Sequence, residues 1–168
     1  EDAEFKRKRH KKEGRAGEKK VEALYTMEDA QAAVQYLTPV AMKQPIPIAD
    51  GIEVSFHEAG HIFGSSIVKI RVSLDGQTRT ILYTGDLGRV GKPILRDPDE
   101  FASADYVLIE STYGDHEHKG LDNILGQLEK VINEAWRSGG NILIPSFSIE
   151  RSQEILYYMN LLLKAGRI

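Results

Sequence analysis

The chain contains no cysteine. A disulfide framework and any thiolate metal site are therefore excluded, and a bound metal has to be held by His, Asp or Glu. No apolar run approaches the 18 or so residues that a bilayer span requires, and the opening residues Glu1, Asp2, Ala3 and Glu4 lack a signal-peptide pattern. The resulting expectation is a cytoplasmic location with no membrane partner. Charge of either sign is in short supply as a net quantity: 22 Lys and Arg against 25 Asp and Glu leave a formal −3. A general attraction for polyanions is not expected from so small a charge, so any nucleic-acid affinity has to come from local patches. There is no internal repeat and no initiator Met, and the chain opens within what reads as a charged helix. These features suggest an internal fragment of a longer protein.

What is present suffices for a globular fold, with 168 residues of which 41% are hydrophobic. Lys6 to Lys20 carry nine Lys or Arg and few apolar residues, which predicts a solvated, loop-like stretch, with RNA contact as the sharper alternative. Glu28 to Leu37 places Ala30, Ala33, Val34 and Leu37 at the spacing of a core-facing helix. Thr26 can cap it with Asp29 three positions on, and Pro39, Pro45 and Pro47 then enforce extended chain.

Ile52–Phe56, Ser66–Leu74, Thr78–Thr84 and Tyr106–Glu110 are rich in Val, Ile, Tyr and Thr and read as strands, with Asp75-Gly76 as a hairpin turn. Leu121 to Arg137 reads as a helix stopped by Gly139-Gly140, Asn141 to Pro145 as a short buried strand, and Ile149 to Lys164 as a second helix. This order of elements is that of an α/β unit.

The sharpest local feature is the run from Ser55 to Ser65, SFHEAGHIFGS, which contains H-E-x-x-H. A zinc peptidase would use His57 and His61 as ligands and Glu58 as base, with both histidines on one face of a helix. The surroundings argue against that helix. A β-branched strand precedes His57, Gly60 and Gly64 interrupt the turn, and Ile67 stands where the longer pattern needs a third His. The competing reading makes His61 a single ligand on a loop leaving a strand, with His57 a packed or hydrogen-bonded residue. Downstream, Asp86 lies in LYTGDLGR, where a carboxylate at a glycine-flanked turn can bridge two metal ions or merely cap the turn.

His61 in AGHIFGS, Asp86 in TGDLGR and Glu110 in ESTYG resemble, in that order and spacing, the β-CASP branch of the metallo-β-lactamase superfamily. Pro145-Ser146-Phe147 followed by Arg151, Gln153 and Glu154 is similar to that family's next segment. The resemblance implies an α/β fold in which residues 1–114 form the second part of a metallo-β-lactamase αββα sandwich and 115–168 begin an α/β β-CASP cap. It implies that His61 binds one zinc ion, Asp86 bridges two and contributes to catalysis, and Glu110 is the acidic catalytic residue, with Glu58 close by. Arg151, Ser146 and His118 become candidates for RNA contact, set against a surface salt bridge for Arg151 and plain solvent exposure for His118.

Two departures stand out. The cluster H-x-H-x-D-H and the family's late histidines are not in this sequence, and Ile149-Glu150 replaces the Val-Gly expected before Arg151. A glutamate facing an RNA cleft would oppose phosphate. The implied function is zinc-dependent hydrolysis of RNA phosphodiester bonds by a full-length parent, with homodimerisation left open and this piece alone inactive. The alternatives are a hydrolase of the same fold acting on a small thioester or lactam, and a non-catalytic subunit of the same family.

Overall fold

A computed structural model describes residues 2–15, 21–115 and 123–168. The chain divides into two compact units, Glu1–Val40 and Ala41–Ile168. The first contains helix α1 (Asp2–Lys12) and helix α2 (Met27–Val34). The expected basic loop is therefore helical through Lys12, with every Lys and Arg of that helix exposed, while residues 16–20 of it lie outside the described residues. Lys and Arg are good helix formers, and ion pairs at i,i+4 from Lys8 to Glu4 and from Arg9 to Glu13 bridge successive turns. Helix α2 begins as its sequence dictates: the Asp29 N–H donates to the Thr26 hydroxyl at 3.2 Å, and the Thr26 N–H donates to the Asp29 carboxylate at 2.8 Å. Its apolar stripe, however, is not core-facing. Ala30, Ala33, Val34 and Leu37 are all exposed, because the described part of this unit offers no surface to cover them.

The second unit is built on a five-stranded sheet in the order β1 (Ile46–Ala49), β2 (Ile52–Glu58), β3 (Ser66–Leu74), β4 (Gln77–Tyr83) and β5 (Tyr106–Leu108). Neighbours are antiparallel except for β4 and β5, which run parallel. Strand β1 tolerates Pro47 because it lies at the sheet edge, where a missing N–H costs least. The β3–β4 turn puts both Asp75 and Gly76 at positive φ, +50° and +74°, as a tight two-residue hairpin requires. Register places Ser55, Lys69 and Leu82 side by side on one face, and Val54, Ile70 and Ile81 on the other. Val54, Ile67 and Leu82 are the sheet's buried apolar residues.

The chain then re-enters the sheet through Asp105, whose carboxylate accepts from Thr80 N–H at 2.8 Å and from Arg79 at 2.9 Å. That clamp starts β5 beside β4. Helix α3 (Ile124–Ser138) ends at Gly139, φ +65°, with Gly140 N–H donating back to the Ala135 carbonyl at 2.9 Å. Helix α4 (Arg151–Lys164) is tied to it by an Arg167–Glu129 ion pair and by Asn133, which donates to the Arg167 carbonyl at 3.0 Å. Leu121 lies outside the described residues.

One expected element is corrected. Asn141–Pro145 is not a buried strand: it joins no sheet, and Leu143 is 92% exposed. A strand needs a neighbour for its backbone N–H and C=O groups, and apolar composition alone supplies none. No helix among the described residues is long and apolar enough to cross a membrane.

Candidate functional site

Two loops at the ends of β2 and β4 converge. The first, residues 59–65, is folded around Ser65. Its hydroxyl accepts from the His61 N–H at 3.0 Å and from the Ile62 N–H at 3.2 Å. The Gly60 N–H donates to Glu58 Oε1 at 3.0 Å, and Gly60 sits at φ +63°, a conformation that glycine adopts without cost. The run is thus strand followed by loop, with His57 inside β2, and the helix that a zinc peptidase needs does not form.

The second loop carries Asp86. Thr84 N–H donates to the Leu108 carbonyl at 3.0 Å, fixing the loop's start, and Leu87 N–H donates to Glu110 Oε1 at 2.9 Å, fixing its middle. Glu110 Oε2 also receives the Thr112 N–H at 3.4 Å. The Thr112 hydroxyl and the Leu87 N–H hold the Glu110 carboxyl below its usual range against the opposing effect of desolvation, with lesser help from the Thr112 N–H and from His61. In this structure Glu110 clamps the Asp86 loop and caps the segment after β5.

Backbone meets backbone where the loops touch. Gly88 N–H donates to the Ala59 carbonyl at 2.8 Å, and a side chain at Gly88 would overlap the Gly60 peptide. This approach brings His61 Nε2 to 3.9 Å from Asp86 Oδ2, with the two side chains 40% and 76% exposed. The separation is too long for a hydrogen bond. It lies within the span of about 4.2 Å set by two metal–ligand bonds of about 2.1 Å. The pair therefore fits an ion as two of its donors. Among the described residues no third His, Asp or Glu joins them, so the two alone cannot close a coordination set.

No protein-family model matches the chain. Individual proteins do. It is 35% identical over 138 residues to "Ribonuclease TTHA0252" of Thermus thermophilus, covering 82% of this chain and 31% of that protein. It is 34% identical over 150 residues to an "RNase J-like protein" of Methanocaldococcus jannaschii, covering 86% and 34%. A "Transcription termination factor FttA" of Methanothermobacter thermautotrophicus is 29% identical over 147 residues, covering 86% and 23%. This chain belongs to the β-CASP metallo-β-lactamase family. It spans about a third of the length of the first two of these relatives.

Within this β-CASP chain the other expected site residues separate. His57 faces away into its own cluster: its Nε2 lies 3.0 Å from Ser55 Oγ, its Nδ1 3.7 Å from Asp99 Oδ2, and its ring meets Phe101 edge-on at 4.9 Å. Burial lowers its pKa, and the positive charges of Lys69 and Lys43 add to that effect against the opposing pull of Asp99. It is the packed, hydrogen-bonded residue that its strand position predicts. Arg151 opens α4, exposed, with its Nε 3.7 Å from an oxygen of the buried Glu154 carboxylate. Ser146 Oγ lies 3.1 Å from Ser152 Oγ. His116 and His118 lie outside the described residues.

Sequence reasoning missed two contributors, Asp99 and Lys92, and left the place of Glu150 open. Asp99 holds the end of β2: its carboxylate accepts from the Glu58 N–H at 3.0 Å and from Lys43 at 2.7 Å, and its own N–H donates to the Glu58 carbonyl at 2.9 Å. Lys92 and Glu150 form an ion pair of 2.7 Å with side chains only 10% and 8% exposed. Glu150 thus faces no open cleft, and its charge is compensated. Its φ of +73° also explains why glycine is the residue expected there. An isolated Lys or Asp in a loop carries no periodic signal, so only the fold reveals these roles.

Proposed function

We propose that the protein of which this chain forms part hydrolyses RNA phosphodiester bonds with two zinc ions, and that His61 and Asp86 are ligands to them. The observation that carries the reading is the convergence of His61 and Asp86, from the ends of two different strands, to 3.9 Å on an exposed surface. Membership of a family whose relatives are named ribonucleases supports it. Zinc, when bound, supplies a Lewis acid for the phosphoryl oxygens and lowers the pKa of water. The chain's own residues prepare for this. Ser65 orients the His61 backbone, and Glu110 holds the peptide beside Asp86 so that the carboxylate stays at the loop tip.

In the same reading Glu110 also serves the reaction as its acidic residue, residues 1–114 belong to the metallo-β-lactamase part and 115–168 to the cap, and RNA passes near Ser146 and Arg151. The exposed guanidinium of Arg151, only loosely held by Glu154, is available for phosphate.

The test begins with bound-metal stoichiometry on this chain. Weak zinc is expected, since two protein donors are fewer than the three of typical catalytic zinc sites. It should disappear in His61→Ala and Asp86→Asn and persist in His57→Ala. Tight zinc that depends on His57 and ignores Asp86 would refute the proposal. In a longer protein carrying this chain, Asp86→Asn should reduce RNA cleavage by more than the roughly 10–100-fold typical of losing an outer partner of a metal ligand.

A further inference from the structure

We infer that Lys92 is a positioning residue for His61, and that Glu150 is its anchor. The inference rests on the proposed ligand role of His61. The Lys92 ammonium group makes two hydrogen bonds: to Glu150 Oε1 at 2.7 Å and to the backbone carbonyl of His61 itself at 3.2 Å. Both side chains are nearly out of solvent. An ammonium ion buried in this way is retained only when its partners are in place, so its geometry is set by Glu150 rather than by water.

Glu150 in turn is not free to move. It is the residue immediately before α4, and its carbonyl is held in the first turn of that helix by the Glu154 N–H, which donates to it at 2.9 Å. It holds φ +73° and ψ −70°, which is unfavourable for any residue other than glycine. A strained, buried glutamate at this position is understandable if its carboxylate is needed where it lies. The chain of contacts runs from the start of α4, through Glu150 and Lys92, to the carbonyl of His61. The imidazole orientation is thereby coupled to the placement of the helix that begins with Arg151.

The competing explanation is a staple that stabilises the fold and does nothing particular for His61. Glu150→Gly separates the two, because glycine suits the backbone conformation and removes only the carboxylate. Lys92→Met removes the donor, Lys92→Arg restores a cation, and Lys130→Met, at an exposed lysine 3.9 Å from Glu134, serves as control. Amide hydrogen exchange would be followed at His61, Ile62 and Gly88, together with the strand amides of β2 and β3, and the His61 ring 15N resonances would be recorded during titration with zinc chloride.

Glu150→Gly and Lys92→Met are expected to accelerate exchange at His61 and Ile62 on the order of tenfold or more, the scale of losing a hydrogen bond to a charged group. They should leave β2 and β3 unchanged and weaken the zinc response of the ring, whereas Lys92→Arg and Lys130→Met behave as the parent chain. Exchange at His61 and Ile62 that stays as in the parent, or that rises equally through β2 and β3, overturns the inference in favour of a staple. If the His61 ring of the parent chain ignores zinc, the ligand assignment falls, and the exchange comparison still decides whether Lys92 positions the loop.

Discussion

Replacing Gly88 by alanine tests whether the two loops must meet backbone to backbone. The added Cβ would overlap the Gly60 carbonyl oxygen and carbon and press on the His61 nitrogen. All three atoms belong to main chain, so no side chain can swing aside. Gly60 cannot retreat easily, since it is itself packed against the Arg96 carbonyl and Pro98. Forced overpacking of this kind costs about 1–3 kcal/mol. The displacement also breaks the 2.8 Å bond from Gly88 N–H to the Ala59 carbonyl. That loss adds about 0.5–1.5 kcal/mol. The total of about 2–4 kcal/mol corresponds to a fall in Tm of roughly 5–15 °C for a domain of this size. Gly64→Ala is the control: Gly64 is at φ +82° with open space around it, so it incurs backbone strain without a clash. Its cost should be about 1–2 kcal/mol. Denaturant midpoints would give both values, and zinc binding should be lost in Gly88→Ala alone. Equal destabilisation by the two substitutions would refute the close-approach argument.

Two further outcomes concern pH. The depressed Glu110 carboxyl contributes stability that is present above its unfolded value near 4.5 and is lost as pH falls through its lower folded value. Glu110→Gln should therefore flatten the acid limb of a stability–pH profile below pH 4.5, and an unchanged limb would show that the clamp on Leu87 is not formed in solution. His57 is shifted the same way for a different reason, burial. The unfolded chain takes up its proton near 6.5 before the folded chain does, so stability is full above that value and falls as pH drops through the window just beneath it. His57→Gln should remove that slope just beneath pH 6.5 without altering zinc affinity, and loss of zinc on this substitution would restore His57 as a ligand candidate.

The sequence alone determined the features that depend on neighbours in the chain. The Thr26 capping box, the Asp75-Gly76 turn, the Gly139 stop and the strand identity of the residues around His57 follow from local sterics and hydrogen bonding, which short stretches encode fully. The same logic separated His61 from His57, because a β-branched run interrupted by glycines does not become the helix that would align them. Local signal failed where burial was at issue. The α2 stripe and Asn141–Pro145 look like core by composition, yet both are exposed, since whether an apolar face is covered depends on what lies opposite it. Only the tertiary structure decided that Gly88 touches Gly60, that Glu110 grips the Asp86 loop, and that Lys92 reaches across 58 residues of chain to Glu150. These contacts join segments far apart in sequence, and no periodicity records which lysine will meet which glutamate once the strands have paired.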